Sequence, residues 1–228
     1  MKVALIGNGK TGHHVADLLT QESYAFSIFN LENPPTLTTL SGHDVIINFT
    51  PGEIFLSQLD LLIASKIPLA AGSTGLILPE NLDTRLKSNG IRWIYASNFS
   101  LGMALANRML KELSHAKNIL NDYSYTLNET HHTKKVDNPS GTALAWAKII
   151  DDPKKISITG HREGEVVGIH ELTLNTPFES ITLKHVAHDR KIFAQGAIWA
   201  AKKLLSDPSL PYGLHYFSNL AGEYLYEK

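Results

Sequence analysis

Apolar positions follow two different rhythms along this chain, and the rhythm changes near residue 101. Val3-Ala4-Leu5-Ile6 is unbroken and apolar, the pattern of a strand covered on both faces of a parallel sheet. Val15, Ala16, Leu18 and Leu19 then supply one apolar side of a helix. Short strand-like runs recur at α/β spacing over Tyr24–Phe29, Asp44–Asn48, Ile67–Ala71 and Ile91–Tyr95, with helical patterns over Ile54–Ala64 and Pro79–Lys87. Such alternation predicts an α/β fold, a doubly wound parallel sheet of Rossmann type over residues 1–100. A helical stripe (Met103, Leu105, Ala106, Met109, Leu110, Leu113) leads out of it. Strands dominate afterwards, at Asp122–Glu129, Ile156–Thr159, Val166–Leu174 and Ser180–Ala187, with helices at Gly141–Ile150 and Arg190–Leu205. This predicts an α+β domain over residues 101–211 on a mixed, mostly antiparallel sheet, which an open face would suit to oligomerisation. The Pro-rich stretch Ser206–Gly213 turns the chain back, and residues 212–228 are expected to pack on the first domain.

Composition narrows this picture. At 228 residues, with 43% hydrophobic and 19% charged residues, the chain can bury a substantial core. A formal net charge of −1 provides no general attraction to nucleic acid or an anionic membrane. With no cysteine there is no disulfide, thiolate nucleophile or cysteine-bound metal. The 11 histidines are scattered and lack a compact pattern such as HExxH, so no metal site is expected. No apolar run approaches the ~18–20 residues of a membrane span. The opening MKVALIGNGK has four apolar residues, Val3–Ile6, against the ~7–15 of a secretory core, so a cytoplasmic location is expected.

Gly7-Asn8-Gly9-Lys10-Thr11-Gly12 follows the first strand and opens the first helix, and it fits GxGxxG. Gly7 suits the tight turn, Gly9 the approach of a pyrophosphate, and Gly12 close packing of helix on strand. A glycine turn can occur without a ligand, but the position between strand and helix points to a dinucleotide. Polar turns stand at the carboxyl ends of later strands: Asn48-Phe49-Thr50-Pro51, Gly72-Ser73-Thr74-Gly75 and Ser97-Asn98-Phe99-Ser100. That edge is where a doubly wound sheet binds its ligand. The position that usually selects between NAD and NADP is Asn30, with Glu32 nearby and Lys10 in the glycine loop. The choice between the two cofactors stays open.

The densest chemistry lies in Glu129–Thr142, ETHHTKKVDNPSGT. His131, His132, Lys134 and Lys135 stand beside a Pro-Ser-Gly-Thr turn and a helical run. Clustered cations next to a helix N-terminus suit a small substrate carrying carboxylates. Ser140 is also a favoured N-cap residue, so capping is the plainer reading of that turn.

These segments together resemble the 4-hydroxy-tetrahydrodipicolinate reductase (dihydrodipicolinate reductase) family, in a form with a short glycine loop. Asn48-Phe49-Thr50 is similar to the family's Asp-Phe-Thr, Gly72-Ser73-Thr74-Gly75 to its Gly-Thr-Thr-Gly, and Ala96-Ser97-Asn98-Phe99-Ser100-Leu101-Gly102 to its Ala-x-Asn-Phe-Ser-x-Gly. Glu129–Ala143 resembles E-x-H-H-x-x-K-x-D-x-P-S-G-T-A, the most specific of these motifs. His185-x-Ala187-x-Asp189-Arg190 and Phe193-Ala194-x-Gly196-Ala197 echo a later helix entry.

The resemblance implies hydride transfer from NADH or NADPH to a cyclic unsaturated imine dicarboxylate, formed by water loss from the 4-hydroxy compound, in lysine and diaminopimelate synthesis. It makes His131 the proton donor and Lys135 a catalytic charge, with His132, Ser140, Gly141 and Thr142 contacting substrate. It places the cofactor on Gly7, Asn8, Gly9, Lys10, Thr11, Gly12, Asn30, Gly72, Ser73, Thr74, Ala96, Ser97, Asn98 and Phe99. Lys134 is read as a solvated charge, and Asp137 as orienting Lys135 or completing a turn. A homo-oligomer, a tetramer by the same resemblance, is expected. Two other classes compete: a two-domain dehydrogenase acting on an amino acid or sugar, and a non-catalytic nucleotide sensor. The first lacks HHxxK followed by PSGT, and the second should have lost His131 or Lys135.

Overall fold

The computed structural model describes residues 1–224. The chain begins β1 (Lys2–Ile6), α1 (Lys10–Gln21), β2 (Ala25–Phe29), α2 (Leu37–Leu40), β3 (Val45–Asn48), α3 (Gly52–Ser57) and α4 (Leu59–Ala64). It continues with β4 (Leu69–Ala71), α5 (Leu82–Ser88), β5 (Arg92–Tyr95), α6 (Leu101–Ser114), β6 (Ser124–His131) and α7 (Gly141–Ile150). It closes with β7 (Ile156–Arg162), β8 (Gly168–Asn175), β9 (Ser180–Ala187), α8 (Lys191–Ser206), β10 (Gly213–Tyr216) and α9 (Phe217–Glu223). Two compact units result: Met1–Leu101 with the chain from Arg190 onward, and Gly102–Asp189.

The first unit is built on a parallel sheet in the order β10-β5-β4-β3-β1-β2. The unbroken apolar runs become its central strands: Val3–Ile6 and Val45–Ile47 are each at most 1% exposed. Full burial of such side chains contributes about 1.5–3 kcal/mol each, which is why these segments settle as strands covered on both faces. The single helix expected over Ile54–Ala64 is two helices. The chain tightens at Gln58, whose N–H is shared between the carbonyls of Ile54 and Phe55, and a new helix starts there. The helix expected from Pro79 begins at Leu82, after a turn closed by the Leu82 N–H on the Pro79 carbonyl.

The second domain expected over 101–211 ends earlier than that. Helix α8 belongs with the first unit, against α1 and strands β3, β4 and β5. The reason lies in its small buried residues Ala194, Gly196, Ala197, Ala200 and Ala201. A Cβ at Gly196 would stand 1.7 Å from the Phe99 carbonyl oxygen, so the helix seats at that depth only with glycine there. The expected C-terminal return supplies β10, which pairs in parallel with β5, and α9. Residues 225–228 of the tail lie outside the described residues.

The second unit carries a sheet in the order β7-β6-β8-β9, parallel between β6 and β7 and antiparallel elsewhere. Its core joins Leu110 of α6, Trp146 and Ile150 of α7, Tyr125 and Leu127 of β6, and Leu172 and Leu174 of β8. Alternation along β6 buries every second residue, Tyr125, Leu127, Glu129 and His131. One face of this strand is thus apolar at its start and polar at its end. On β8 the register repeats the pattern, with Leu174 opposite Tyr125, Leu172 opposite Leu127 and His170 opposite Glu129. Among the described residues no helix is long and apolar enough to cross a membrane.

Candidate active site

In the first unit a cavity of about 530 Å³ opens beyond the carboxyl ends of β1, β3, β4 and β5. Gly9, Lys10, Thr11, Gly72, Thr74, Ala96, Ser97, Asn98 and Phe99, all expected from sequence, line it. The glycines divide by function. Gly7 has φ +95°, and a Cβ on Gly12 would lie 2.0 Å from the Gly7 carbonyl oxygen, so these two close the turn. A Cβ on Gly9 would meet nothing within 4 Å, which leaves its backbone open to the cavity. Gly9 is also the N-cap of α1, and no side chain caps that helix. First-turn N–H groups left without helical partners form a donor set that fits a pyrophosphate.

Gly7, Asn8, Gly12, Asn30 and Ser73 do not line the cavity. Ser73 is 1% exposed, and its hydroxyl donates to Asn48 Oδ1 at 3.3 Å; the same oxygen accepts from the N–H and hydroxyl of Thr50 at 2.9 and 2.7 Å. Asn48 and Ser73 therefore tie the loops after β3 and β4 together from behind. Asn30 Oδ1 accepts the N–H groups of Glu32 and Asn33, each at 2.9 Å, and closes the turn after β2. A Cβ at Gly72 would stand 2.2 Å from the Phe49 ring, so this glycine makes room for an aromatic wall. Phe49, Thr50, Pro51 and Phe193 also line the cavity, beyond the residues expected from sequence. The first three lie in a polar turn that the sequence already marked. Phe193 arrives on α8, in the Phe193-Ala194-x-Gly196-Ala197 motif that marks a helix entry but not a cofactor contact.

A second concavity of about 490 Å³ in this unit is lined by residues that include Asp83, Lys87, Tyr212 and His215. The Asp83 carboxylate is satisfied within the wall by Lys87 at 2.6 Å and the Leu214 N–H at 2.9 Å. No predicted site residue lies there.

The second unit assembles the histidine segment. His131 ends β6, 7% exposed, and its Nδ1 lies against Glu129 Oε2, close in but off-line for a straight hydrogen bond. Glu129 Oε1 accepts from Arg162 Nη1 at 3.0 Å and from the Ser140 N–H at 3.1 Å. Arg162 also donates to the Asp137 carbonyl, which fastens the loop between β6 and α7. His170 stands edge-on to His131 with ring centroids 5.0 Å apart, and its Nε2 is 3.3 Å from the Ser140 hydroxyl. The backbone N–H of His132 donates to Val166, while its ring Nδ1 is buried without a hydrogen-bond partner among the described residues. Lys135 Nζ meets Asp137 Oδ1 at 2.7 Å.

The turn at Ser140–Thr142, expected to offer free N–H groups to a substrate, is already partly engaged. The Ser140 N–H goes to Glu129 and the Gly141 N–H to Asp137 Oδ2 at 3.3 Å. Ser140 caps α7 by accepting the Ala143 N–H at 3.2 Å, so the capping role holds. Lys134 is 4.0 Å from Glu165, both exposed, in keeping with a solvated charge.

Electrostatics follow from this packing. Burial pushes the Glu129 carboxyl up, but the Arg162 guanidinium, the His131 ring and the Ser140 N–H outweigh it and hold it below its ordinary value. Burial pushes His131 down; Glu129 opposes, while Lys135 and Arg162 add to the depression. His170 falls to about 4, chiefly through burial, with the adjacent His131 adding to it. Glu129, His131 and His170 each bring a possible donor atom within 4.8 Å of the others. Arg162 already neutralises that carboxylate and Lys135 adds further positive potential, which disfavours a divalent cation. In the sequence Glu129 is marked only as a strand end and the first letter of a motif, and no local signal gives Arg162 or His170 a place in the site.

A family model described as dihydrodipicolinate reductase, C-terminus, matches residues 102–217. A 4-hydroxy-tetrahydrodipicolinate reductase of Christiangramia forsetii is 30% identical over 222 residues, covering 90% of this chain and 92% of that relative. One from Syntrophus aciditrophicus is 32% identical over 185 residues, covering 72% and 68%. Among solved structures, a dipicolinate-bound dihydrodipicolinate reductase from Paenisporosarcina sp. TG-14 has a TM-score of 0.72 at 22% identity, over 96% of this chain and 99% of that one.

Proposed function

The chain belongs to the dihydrodipicolinate reductase family, and we propose that its proton donor is His131 in the NAD(P)H-dependent reduction of 4-hydroxy-tetrahydrodipicolinate. One observation carries the assignment: a nearly buried imidazole is braced by a carboxylate, with a lysine close enough to shift its titration. In the free protein burial, Lys135 and Arg162 favour the neutral ring. A dicarboxylate beside it brings negative charge and restores the proton that the reaction consumes.

Lys135 supplies positive charge to a substrate carboxylate or to the ring nitrogen as electron density arrives there. The unpartnered Nδ1 of His132 supports a role in holding substrate. Ser140, Gly141 and Thr142 open α7, where an anion is favoured; a carboxylate binding there takes over from Asp137. In the first unit, Gly9, Lys10 and Thr11 would hold the cofactor pyrophosphate, and Thr74, Ala96, Ser97, Asn98 and Phe99 the rest of the dinucleotide. A reduced nicotinamide bound there supplies the hydride.

Neutral Asn30 neither repels a 2′-phosphate nor offers a carboxylate to a ribose hydroxyl, which supports use of both NADH and NADPH. The face of the second sheet carrying Thr126, Asn128 and the Glu171–Lys184 pair supports assembly into a homo-oligomer, a tetramer in keeping with the family. A cytoplasmic location fits such a biosynthetic enzyme.

The test is steady-state kinetics on His131→Gln, with substrate made in situ from pyruvate and aspartate semialdehyde, and a cofactor titration alongside. Turnover is expected to fall by about 10²-fold or more, as loss of a general acid does, with cofactor affinity unchanged. An unchanged turnover number would sink the assignment.

A further inference from the structure

We propose that Glu129 is the positioning residue of this site: its buried carboxylate keeps a proton on Nδ1 of His131 and so directs the transferable proton to Nε2. The proposal rests on the reading of His131 as the acid.

The position is unusual for a carboxylate. Alternation along β6 places Glu129 on the same covered face as Tyr125 and Leu127, and its side chain is 0% exposed. An ionised group there is tolerated only if paired. Arg162 on β7 supplies that pairing through Oε1, while Oε2 is left for His131. A carboxylate oxygen and an unprotonated ring nitrogen would oppose lone pair to lone pair at this contact, so the proton sits on Nδ1. Of the charged and titratable groups facing His131, Arg162 on β7 and Lys135 in the following loop are cations. His170 on β8, held to about 4 mainly by its burial, is neutral near pH 7. Glu129 is the negative group among these, and it stabilises the imidazolium that must form before transfer.

Two glycines make the arrangement possible. A Cβ at Gly160 on β7 would stand 2.0 Å from Asn138 Oδ1 and 2.8 Å from Glu129 Oε1. A Cβ at Gly168 on β8 would stand 3.1 Å from His131 Nε2. The first leaves room for the carboxylate, and the second keeps the opposite ring nitrogen free of side-chain crowding. In the transfer itself the Nε2–H bond breaks and the proton passes to substrate. The ring is left neutral with Nδ1–H against Glu129, which stays ionised against Arg162.

Long-range proton–nitrogen spectra of the imidazoles in the full chain test this, with His131 assigned by its disappearance in His131→Gln. Wild type is expected to show the Nδ1–H tautomer above the titration of that ring. Glu129→Gln is expected to lower the midpoint of that titration and to lose the single tautomer. Its kcat should fall by about 10²-fold, the lower end of what a general acid contributes, with cofactor affinity unchanged. Glu129→Asp, which keeps the charge, should recover about tenfold of that loss. An Nε2–H tautomer in wild type overturns the proposal, as does a midpoint unmoved in Glu129→Gln. If Glu129→Gln fails to fold, the wild-type tautomer still decides. Normal turnover in His131→Gln together with an Nδ1–H tautomer would remove the acid assignment and leave the positioning contact standing.

Discussion

The ammonium of Lys135 is held at 2.7 Å by the carboxylate of Asp137, whose second oxygen accepts the Gly141 N–H at 3.3 Å. Asp137 thus occupies both groups that the proposed function assigns to a substrate carboxylate. An exposed pair of this kind is worth about 0–1 kcal/mol, so displacing it is a small cost. Asp137→Asn is expected to lower KM for the dicarboxylate by about 2–5-fold, the factor that such an energy allows, with a smaller change in kcat. Steady-state kinetics at neutral pH measure it. A raised KM would instead make Asp137 a guide that aligns Lys135.

The pH profile of kcat/KM reports the free enzyme. In the proposed mechanism only protonated His131 donates, and its folded value lies below the ordinary one because burial outweighs Glu129. Activity in kcat/KM is therefore expected to be full at acid pH and to fall as pH rises through a midpoint below about 6.5. In kcat the midpoint should lie higher, since bound substrate adds negative charge. A kcat midpoint at or below that of kcat/KM would contradict the assignment.

His170 couples stability to pH. It is 4% exposed and held to about 4 chiefly by burial. The unfolded chain takes up this proton near ~6.5, so between the two values the unfolded state binds more protons and stability rises with pH. The contribution is whole above about 6.5 and is lost as pH falls toward the folded value, roughly 3–3.5 kcal/mol in all at about 1.36 kcal/mol per unit. Urea unfolding at pH about 7.5 and about 5 should show the slope in wild type and a shallower one in His170→Gln. Equal slopes would mean that His170 is solvated when folded.

The glycine loop offers a paired test. Gly12→Ala drives a methyl to 2.0 Å from the Gly7 carbonyl oxygen, a backbone atom that cannot swing away. A loss of about 1–3 kcal/mol in stability is expected, as for other overpacked sites, together with cofactor binding. Gly9→Ala meets nothing within 4 Å, so stability should stay within about 0.5 kcal/mol while cofactor affinity falls. Thermal melts and a fluorescence titration of reduced cofactor separate the two. Unchanged affinity in Gly9→Ala would place the pyrophosphate elsewhere.

Much of the fold was legible because its signals are local. Val3–Ile6 and Val45–Ile47 are apolar without interruption, and burial on both faces demands that. The glycine loop, the turns lining the first cavity and the histidine segment are contiguous stretches. Their residue types state their chemistry before any folding is considered. The strand expected to end at Glu129 runs two residues further in the structure, and that extension seats His131 on the covered face with Tyr125, Leu127 and Glu129.

What tertiary structure alone decided concerns partners far apart in sequence. Helix α8 follows the strands of the second sheet in the chain and is expected with them, but its small residues seat it against the parallel sheet. The Ser140 turn looked like free donors because nothing local shows that Glu129 and Asp137 reach its N–H groups. Arg162 and His170 gain meaning only from register, which sets one beside His131 and the other opposite Glu129. Periodicity determines which face a residue occupies and residue type determines what it can do. Which charge stands beside which is fixed by strand pairing, and the desolvation that makes those charges matter exists only once the sheet is covered.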